Sequence, residues 1–205
     1  MQQKKDEIRE AILVHSKAEF IEKGFQKTTM RSIATRSSVT LSNIYTYFKN
    51  KEELFTVILK PLINKIERGK RAMESHIQHG ADDTVAEHFD MQNIILDFLE
   101  ENRSDLQLLI NRSRGSVLES FVSDFKLWYI GINKNSMIQE AQENGFKDLN
   151  ISDFVMDFIS SIYVDILVKA ITLEVDRAEM VKISLDIIAY GHSGWRGLLK
   201  WASTR

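Results

Sequence analysis

Apolar side chains recur every three or four residues along most of the chain. From Lys5, the positions Ile8, Ile12, Leu13 or Ala18, Phe20 and Ile21 follow a helical repeat that stops at Gly24. GFQKTT then reads as a loop whose Phe25 turns back into a core. Thr28 or Thr29 is placed to cap a second, short helix through Arg36, with Met30, Ile33 and Ala34 on its inner face. Ser37, Ser38 and Val39 break that helix. Thr40 caps a third helix, anchored by Ile44 and Phe48. Asn50 and Glu53 match a capping box, with asparagine in place of serine or threonine. They open a long fourth helix from Lys51 towards His79, with a kink expected at Pro61. Helical periodicity continues over 84–101, 104–112, 116–144, 152–173 and 176–201, with breaks at Gly115, ENGFKDLN and LEVD. No alternating strand pattern and no internal repeat occur. The predicted fold is all-α.

Composition agrees with this pattern. One proline and nine glycines in 205 residues leave little punctuation, which favours long helices over a turn-rich β protein. Hydrophobic residues make up 43% and charged residues 27%, enough for one large domain or a small one plus a larger one. No run of eighteen apolar residues is present, so no membrane-spanning helix is expected. The amphipathic, acid-containing N-terminus is unlike a signal peptide, and the chain reads as cytoplasmic. The absence of cysteine excludes disulfides, thiolate zinc sites, iron–sulfur clusters and cysteine nucleophiles.

Charge separates the chain into two parts. Residues 1–51 hold ten Lys/Arg and five Asp/Glu, a net +5, so the remainder carries −7 to reach the total of −2. A basic head on an acidic body points to a polyanion met by the head alone.

The stretch SSVTLSNIYTYFKNKEELF, Ser37 to Phe55, fits that role. Two short helices joined by a tight turn make a helix-turn-helix. Ala34 is small enough for a close crossing, Val39 plugs the turn and Ile44 points inward from the second helix. The outward positions Thr40, Leu41, Ser42, Asn43 and Thr46 are free to face a major groove. Tyr45 and Tyr47 reach towards phosphates. Lys49 and Lys51 lie at the start of the next helix, where lysine charge and the helix N-terminus both favour a phosphate.

Across roughly the first sixty residues, EKGF, TTMRSIA, the valine turn, IYTYF and KNKEELF at these spacings resemble the TetR family of transcriptional repressors. The resemblance implies a helix-turn-helix DNA-binding domain over 1–50 and an all-helical ligand-binding and dimerisation domain over 51–205. It implies a homodimer on a palindromic operator, released by a small-molecule inducer that spoils the spacing of the recognition helices. By position it implies phosphate contacts for Thr29, Tyr45, Tyr47 and Lys51, and base-reading roles for Leu41, Ser42, Asn43 and Thr46. Two departures stand out. Ser38 takes the place of a common turn glycine, requiring a strained serine or altered angles. Leu41 and Ser42 replace a frequent Lys-Gly pair, which bears on the operator sequence.

Other chemistry is sparse. His76, His79 and His88 lie near Asp82, Asp83 and Glu87, but a solvated loop explains them, and no metal or other cofactor is expected. No GxSxG, HExxH, P-loop or glycine-rich strand–helix turn is present, so the chain is not expected to be an enzyme. Polar groups within apolar helical runs are the candidates to line a ligand pocket: Asn93, Arg112, Trp128, Tyr129, Asn133, Tyr163 and Asp165. Gly191, Gly194 and Gly197, every third residue of the last helix, suggest close helix approach at a subunit interface. The alternative from another class is an all-α enzyme or small-molecule carrier that contains a helix-turn-helix.

Overall fold

The computed structural model describes residues 2–78, 85–146, 151–202 and 204. Among them the chain forms nine helices and no strand. These are α1 (Gln2–Lys27), α2 (Met30–Arg36), α3 (Leu41–Tyr47), α4 (Lys51–Gln78) and α5 (Val85–Glu101), followed by α6 (Arg103–Arg112), α7 (Phe121–Glu143), α8 (Asp153–Thr172) and α9 (Arg177–Ala202). The all-α expectation holds.

Two boundaries differ from the periodicity. The first helix does not end at Gly24. That residue takes φ 74° and ψ 163°, a kink that a residue without Cβ adopts cheaply, and helix resumes to Lys27. Residues 116–120, read as the start of a long helix, form turns instead. There Ser116 N–H donates to Ser113 O at 2.9 Å and Glu119 N–H to Ser116 O at 3.1 Å, so α7 begins only at Phe121. At Pro61, where a kink was expected, the span of α4 is not interrupted.

The chain divides into two compact units. The first comprises the chain up to Lys70 together with Asn102–Val122. The expected DNA-binding segment 1–50 lies inside it. Its core is aromatic: Phe20, Phe25 and Phe55, from three separate segments, are all buried. Phe55 meets Phe20 edge-on at 4.9 Å and Phe25 at 5.1 Å between ring centres. Ile12, Ile33, Ile44 and Phe48 of the same unit are also buried.

The second unit comprises Arg71–Glu101 and the chain from Ser123 onward. Ala141, Met156, Trp195 and Leu199 form a buried cluster from α7, α8 and α9. Arg177 pairs with Asp97 at 2.6 Å and Glu100 at 2.8 Å, tying the start of α9 to α5. Lys134 bridges to Asp153 at 2.7 Å and Asp157 at 3.0 Å, tying α7 to α8. A Cβ at Gly191 or Gly197 would meet nothing within 4 Å, and one at Gly194 only Tyr190 Cζ at 4.0 Å. Among the described residues these glycines therefore mark no close approach. No described helix is long and apolar enough to cross a membrane.

The turn between α2 and α3 resolves the Ser38 question. Val39 N–H donates to Ala34 O at 3.1 Å and Ser38 N–H to Thr35 O at 3.2 Å, and the tight reversal leaves Ser38 at φ 54°. Serine accepts the left-handed conformation at a cost of roughly 1–2 kcal/mol. Glycine removes that strain but loses about 0.5–1 kcal/mol to the freedom of the unfolded chain. Ser38→Gly is therefore expected to raise the unfolding free energy by about 0.5–1 kcal/mol, read as a higher urea midpoint with unchanged slope.

Candidate nucleic-acid interface

Seven residues form α3, and caps hold both its neighbours and itself. Thr40 Oγ1 accepts Asn43 N–H at 3.1 Å. At α2, Thr29 Oγ1 accepts Ser32 N–H at 3.0 Å while Ser32 Oγ accepts Thr29 N–H at 3.1 Å, a reciprocal capping box. The caps settle which threonine opens α2: Thr29. Thr28 is buried, its hydroxyl donating to Gly24 O at 2.8 Å across the kink.

Behind α3, Ile44 and Phe48 are buried. In front, Thr40, Ser42, Tyr45, Thr46 and Lys49 are exposed, Tyr45 by 51%. Leu41, Asn43 and Tyr47 are half-buried at the edges. The expected polar and aromatic positions thus share one open face or its margins. Among the described residues, Lys27, Arg31 and Lys49 draw no carboxylate partner. Arg9, which the motif reading passed over, lies over the Phe48 ring at 5.4 Å, beside the end of α3.

Lys51 is engaged within the unit. Its ammonium donates inward to Phe25 O at 2.7 Å and Thr28 O at 2.9 Å. The Asn50–Glu53 box is a variant of the one expected. Asn50 Oδ1 accepts Glu53 N–H at 2.8 Å, but the Glu53 carboxylate accepts Lys49 N–H, at 2.6 Å, one residue further back.

A buried carboxylate, missed by motif reading, fixes the turn's other side. Glu19 is 2% exposed on α1. It accepts from Lys23 at 2.6 Å and from Arg36, at the end of α2, at 2.9 Å; Arg36 also meets Glu22 at 2.6 Å. The Glu19–Lys23 pair at helical spacing was legible in the sequence; the reach to Arg36 needed the fold. Burial alone would raise the Glu19 carboxyl, but hydrogen bonds from Lys23, Arg36 and Ser32 outweigh it and bring it down to about 2.

The ligand candidates separate. Arg112 belongs to the first unit, where its side chain lies by Gly24, and Asn93 is exposed on α5. In the second unit Trp128, Tyr129 and Tyr163 come together: Tyr129 stacks on Tyr163 at 6.2 Å and lies 6.5 Å from Trp128. Burial raises both phenols, and for Tyr129 the neighbouring Tyr163 adds to it. Trp128 Nε1 donates to Glu74 at 2.6 Å, a partner that sequence periodicity did not single out. Asp165 is engaged by Lys126 at 2.7 Å, and Asn133 donates to Met137 Sδ at 3.8 Å. His79, Asp82 and Asp83 lie outside the described residues, as do the side chains of Glu87 and His88. Among described residues no His, Asp and Glu cluster is arranged to hold a metal.

Residues 12–58 match the family described as bacterial regulatory proteins, tetR family. Over that segment the chain is similar to TetR-family regulators. The matched segment runs from α1 into α4 and contains the whole helix-turn-helix. The uncharacterized HTH-type transcriptional regulators YhgD and YfiR of Bacillus subtilis (strain 168) are 37% identical over 67 residues and 31% over 75. Those alignments cover 32% and 37% of this chain. They span only about a third of each relative, 35%. Likeness to solved structures is one of fold. A TetR-like transcriptional regulator from Rhodococcus sp. RHA1 aligns with a TM-score of 0.62 at 13% identity, covering 91% of this chain and 96% of that one. NalD of Pseudomonas aeruginosa aligns at 0.56 with 16% identity, covering 89% and 96%.

The Glu19 clamp carries a pH signature. The folded carboxyl titrates near 2 against an ordinary 4.5, so its contribution is complete above about 4.5 and is lost as pH falls towards 2. Its upper bound is roughly 3 kcal/mol, reduced because Lys23 and Arg36 are open to solvent. Glu19→Gln is expected to be less stable at neutral pH. In paired denaturant titrations the gap to the parent protein should close as pH falls through that window.

Proposed function

We propose that this chain is a homodimeric transcriptional repressor that binds a palindromic operator and is released by a small-molecule inducer. One observation carries the DNA-binding part: α3 buries Ile44 and presents Ser42, Tyr45 and Thr46 to solvent beside the unpaired Lys49. In this reading Leu41, Ser42, Asn43 and Thr46 read base edges, and Thr40 lies at their margin. Thr29, Tyr45, Tyr47 and Lys49 hold phosphates, which set position without reading sequence. YhgD and YfiR, to which this chain is similar over 67 and 75 residues, are named HTH-type transcriptional regulators. NalD, described as the secondary repressor of the MexAB-OprM multidrug efflux pump, shares the fold.

Dimerisation is supported by apolar side chains left open on the last two helices. Phe154 and Phe158 of α8 are 80% and 61% exposed, and Tyr190 and Trp201 of α9 are 68% and 48% exposed. Large open aromatics of this kind mark contact surfaces, and helices paired with their symmetry mates would cover them. The inducer is assigned to the second unit, where Trp128, Tyr129 and Tyr163 gather. It must bind the DNA-free form more tightly, because equal affinity for both forms shifts nothing.

Selection of duplexes from genomic fragments by the purified protein tests the reading. Recovery of a palindrome with half-sites about one helical turn apart, bound with steep salt dependence, is the expected result. Absence of any sequence-selective binding overturns it. On that palindrome Asn43→Ala should relax preference at one base pair by roughly 1–3 kcal/mol. Lys49→Ala should instead weaken all duplexes alike and flatten the salt slope by about 0.9.

The interface makes a separate prediction. Gly194→Glu places a charge among the exposed faces of α9 and is expected to shift sedimentation from dimer towards monomer at micromolar concentration. A parent protein that sediments as a monomer there would remove the dimer from the proposal.

A further inference from the structure

We propose that Lys51 is a positioning residue of the DNA-binding head, anchoring the loop that leads into α2 instead of holding a phosphate. The inference rests on the DNA-binding function proposed above.

An ammonium has three N–H donors and no acceptor. At Lys51 two of them are engaged by the carbonyls of Phe25 and Thr28, at 2.7 and 2.9 Å. The nitrogen also lies 4.2 Å from the centre of the Phe25 ring, a cation–π contact on a ring that is itself in the buried trio. The side chain is half-buried, and that burial lowers its pKa. A phosphate contact by this side chain would have only the remaining N–H donor to use. Lys49, two residues away, is exposed and draws no carboxylate.

The carbonyls that Lys51 holds lie around the end of α1, where unpaired C=O groups and the helix dipole favour a cation. Thr28 immediately precedes Thr29, whose hydroxyl caps α2. The bond to Thr28 O therefore sets where α2 starts, and through the turn at Ser38, where α3 lies. The next two residues of the same helical turn work similarly. Glu52 accepts Val117 N–H at 2.9 Å, and Glu53 accepts Lys49 N–H at 2.6 Å, behind α3. The first turn of α4 thus holds the chain entering α2 and the chain leaving α3.

The experiment compares the full-length protein with Lys51→Met, which keeps the aliphatic stem but loses charge and donors, and with Lys49→Ala. The probe is a random-sequence duplex about three helical turns long, titrated over a range of salt. Lys51→Met is expected to lose about tenfold in affinity with the parent's salt slope, since it removes alignment and not a released counterion. Lys49→Ala should flatten the slope by about 0.9. Amide hydrogen exchange at Thr29–Ile33 should quicken in Lys51→Met and stay unchanged in Lys49→Ala. A slope flattened by about 0.9 in Lys51→Met overturns the inference in favour of a phosphate contact. Unchanged affinity, or unchanged exchange at the start of α2, overturns it in favour of a purely local role. If Lys51→Met does not fold, Lys51→Gln, which keeps a donor for one carbonyl, carries the same comparison. Failure of the parent protein to bind any duplex would instead count against the DNA-binding reading itself, while the exchange measurement still decides whether Lys51 sets α2.

Discussion

A helix of seven residues is too short to persist in water, where isolated helices below about 12–15 residues are marginal. The shape of α3 is therefore imposed from behind. Ile44 and Phe48 bury it in the unit that also holds the Phe20–Phe25–Phe55 trio. Those rings come from α1, the segment after its kink, and α4, so the trio closes the head across long stretches of sequence. Each buried phenylalanine contributes roughly 1.5–3 kcal/mol. Loss of one would affect the presentation of the open face of α3 as well as stability.

Charge in the head is sorted by the same fold. Arg36 and Lys23 are turned on the buried Glu19, Lys17 pairs with Asp105 at 2.6 Å, and Lys51 is turned on backbone carbonyls. These cations hold elements together. Lys27, Arg31 and Lys49 remain open. A count of basic residues overstates what a polyanion could meet, because several are engaged inside the unit. The three left open lie near α2 and α3 in the sequence, where a phosphate backbone would run if α3 entered a groove.

The second unit is organised differently. Among its ion pairs, Arg177 with Asp97 and Glu100 joins the start of α9 to the end of α5. Lys134, mid-way along α7, reaches Asp153 and Asp157 near the start of α8, and in both sets the carboxylates are open to solvent. Such pairs orient helices more than they stabilise them. The apolar cluster around Trp195 supplies the packing, while Phe154, Phe158 and Tyr190 stay outside it. Trp128, Tyr129 and Tyr163 bring polar tips into an aromatic group, and Glu74 takes the indole N–H.

The helix order was legible in the chain because helical periodicity and caps are local. Thr40 and Asn50 lie in the sequence where they cap in the fold, and Ala34, Val39 and Ile44 mark the crossing by spacing alone. The helix-turn-helix, its outward positions and the unusual Ser38 follow from contacts within about a dozen residues. Tertiary structure decided what depends on distant partners. Whether Lys51 points out to a phosphate or in to Phe25 and Thr28 turns on carbonyls 26 and 23 residues away. The Glu19–Arg36 pair spans 17 residues. Arg112 and Tyr163 looked alike as polar interruptions of apolar helices, yet they belong to different units. Side-chain chemistry and spacing say what a residue is able to do locally. Which of its options it takes depends on the donors, acceptors and rings that folding brings within 3–5 Å of it.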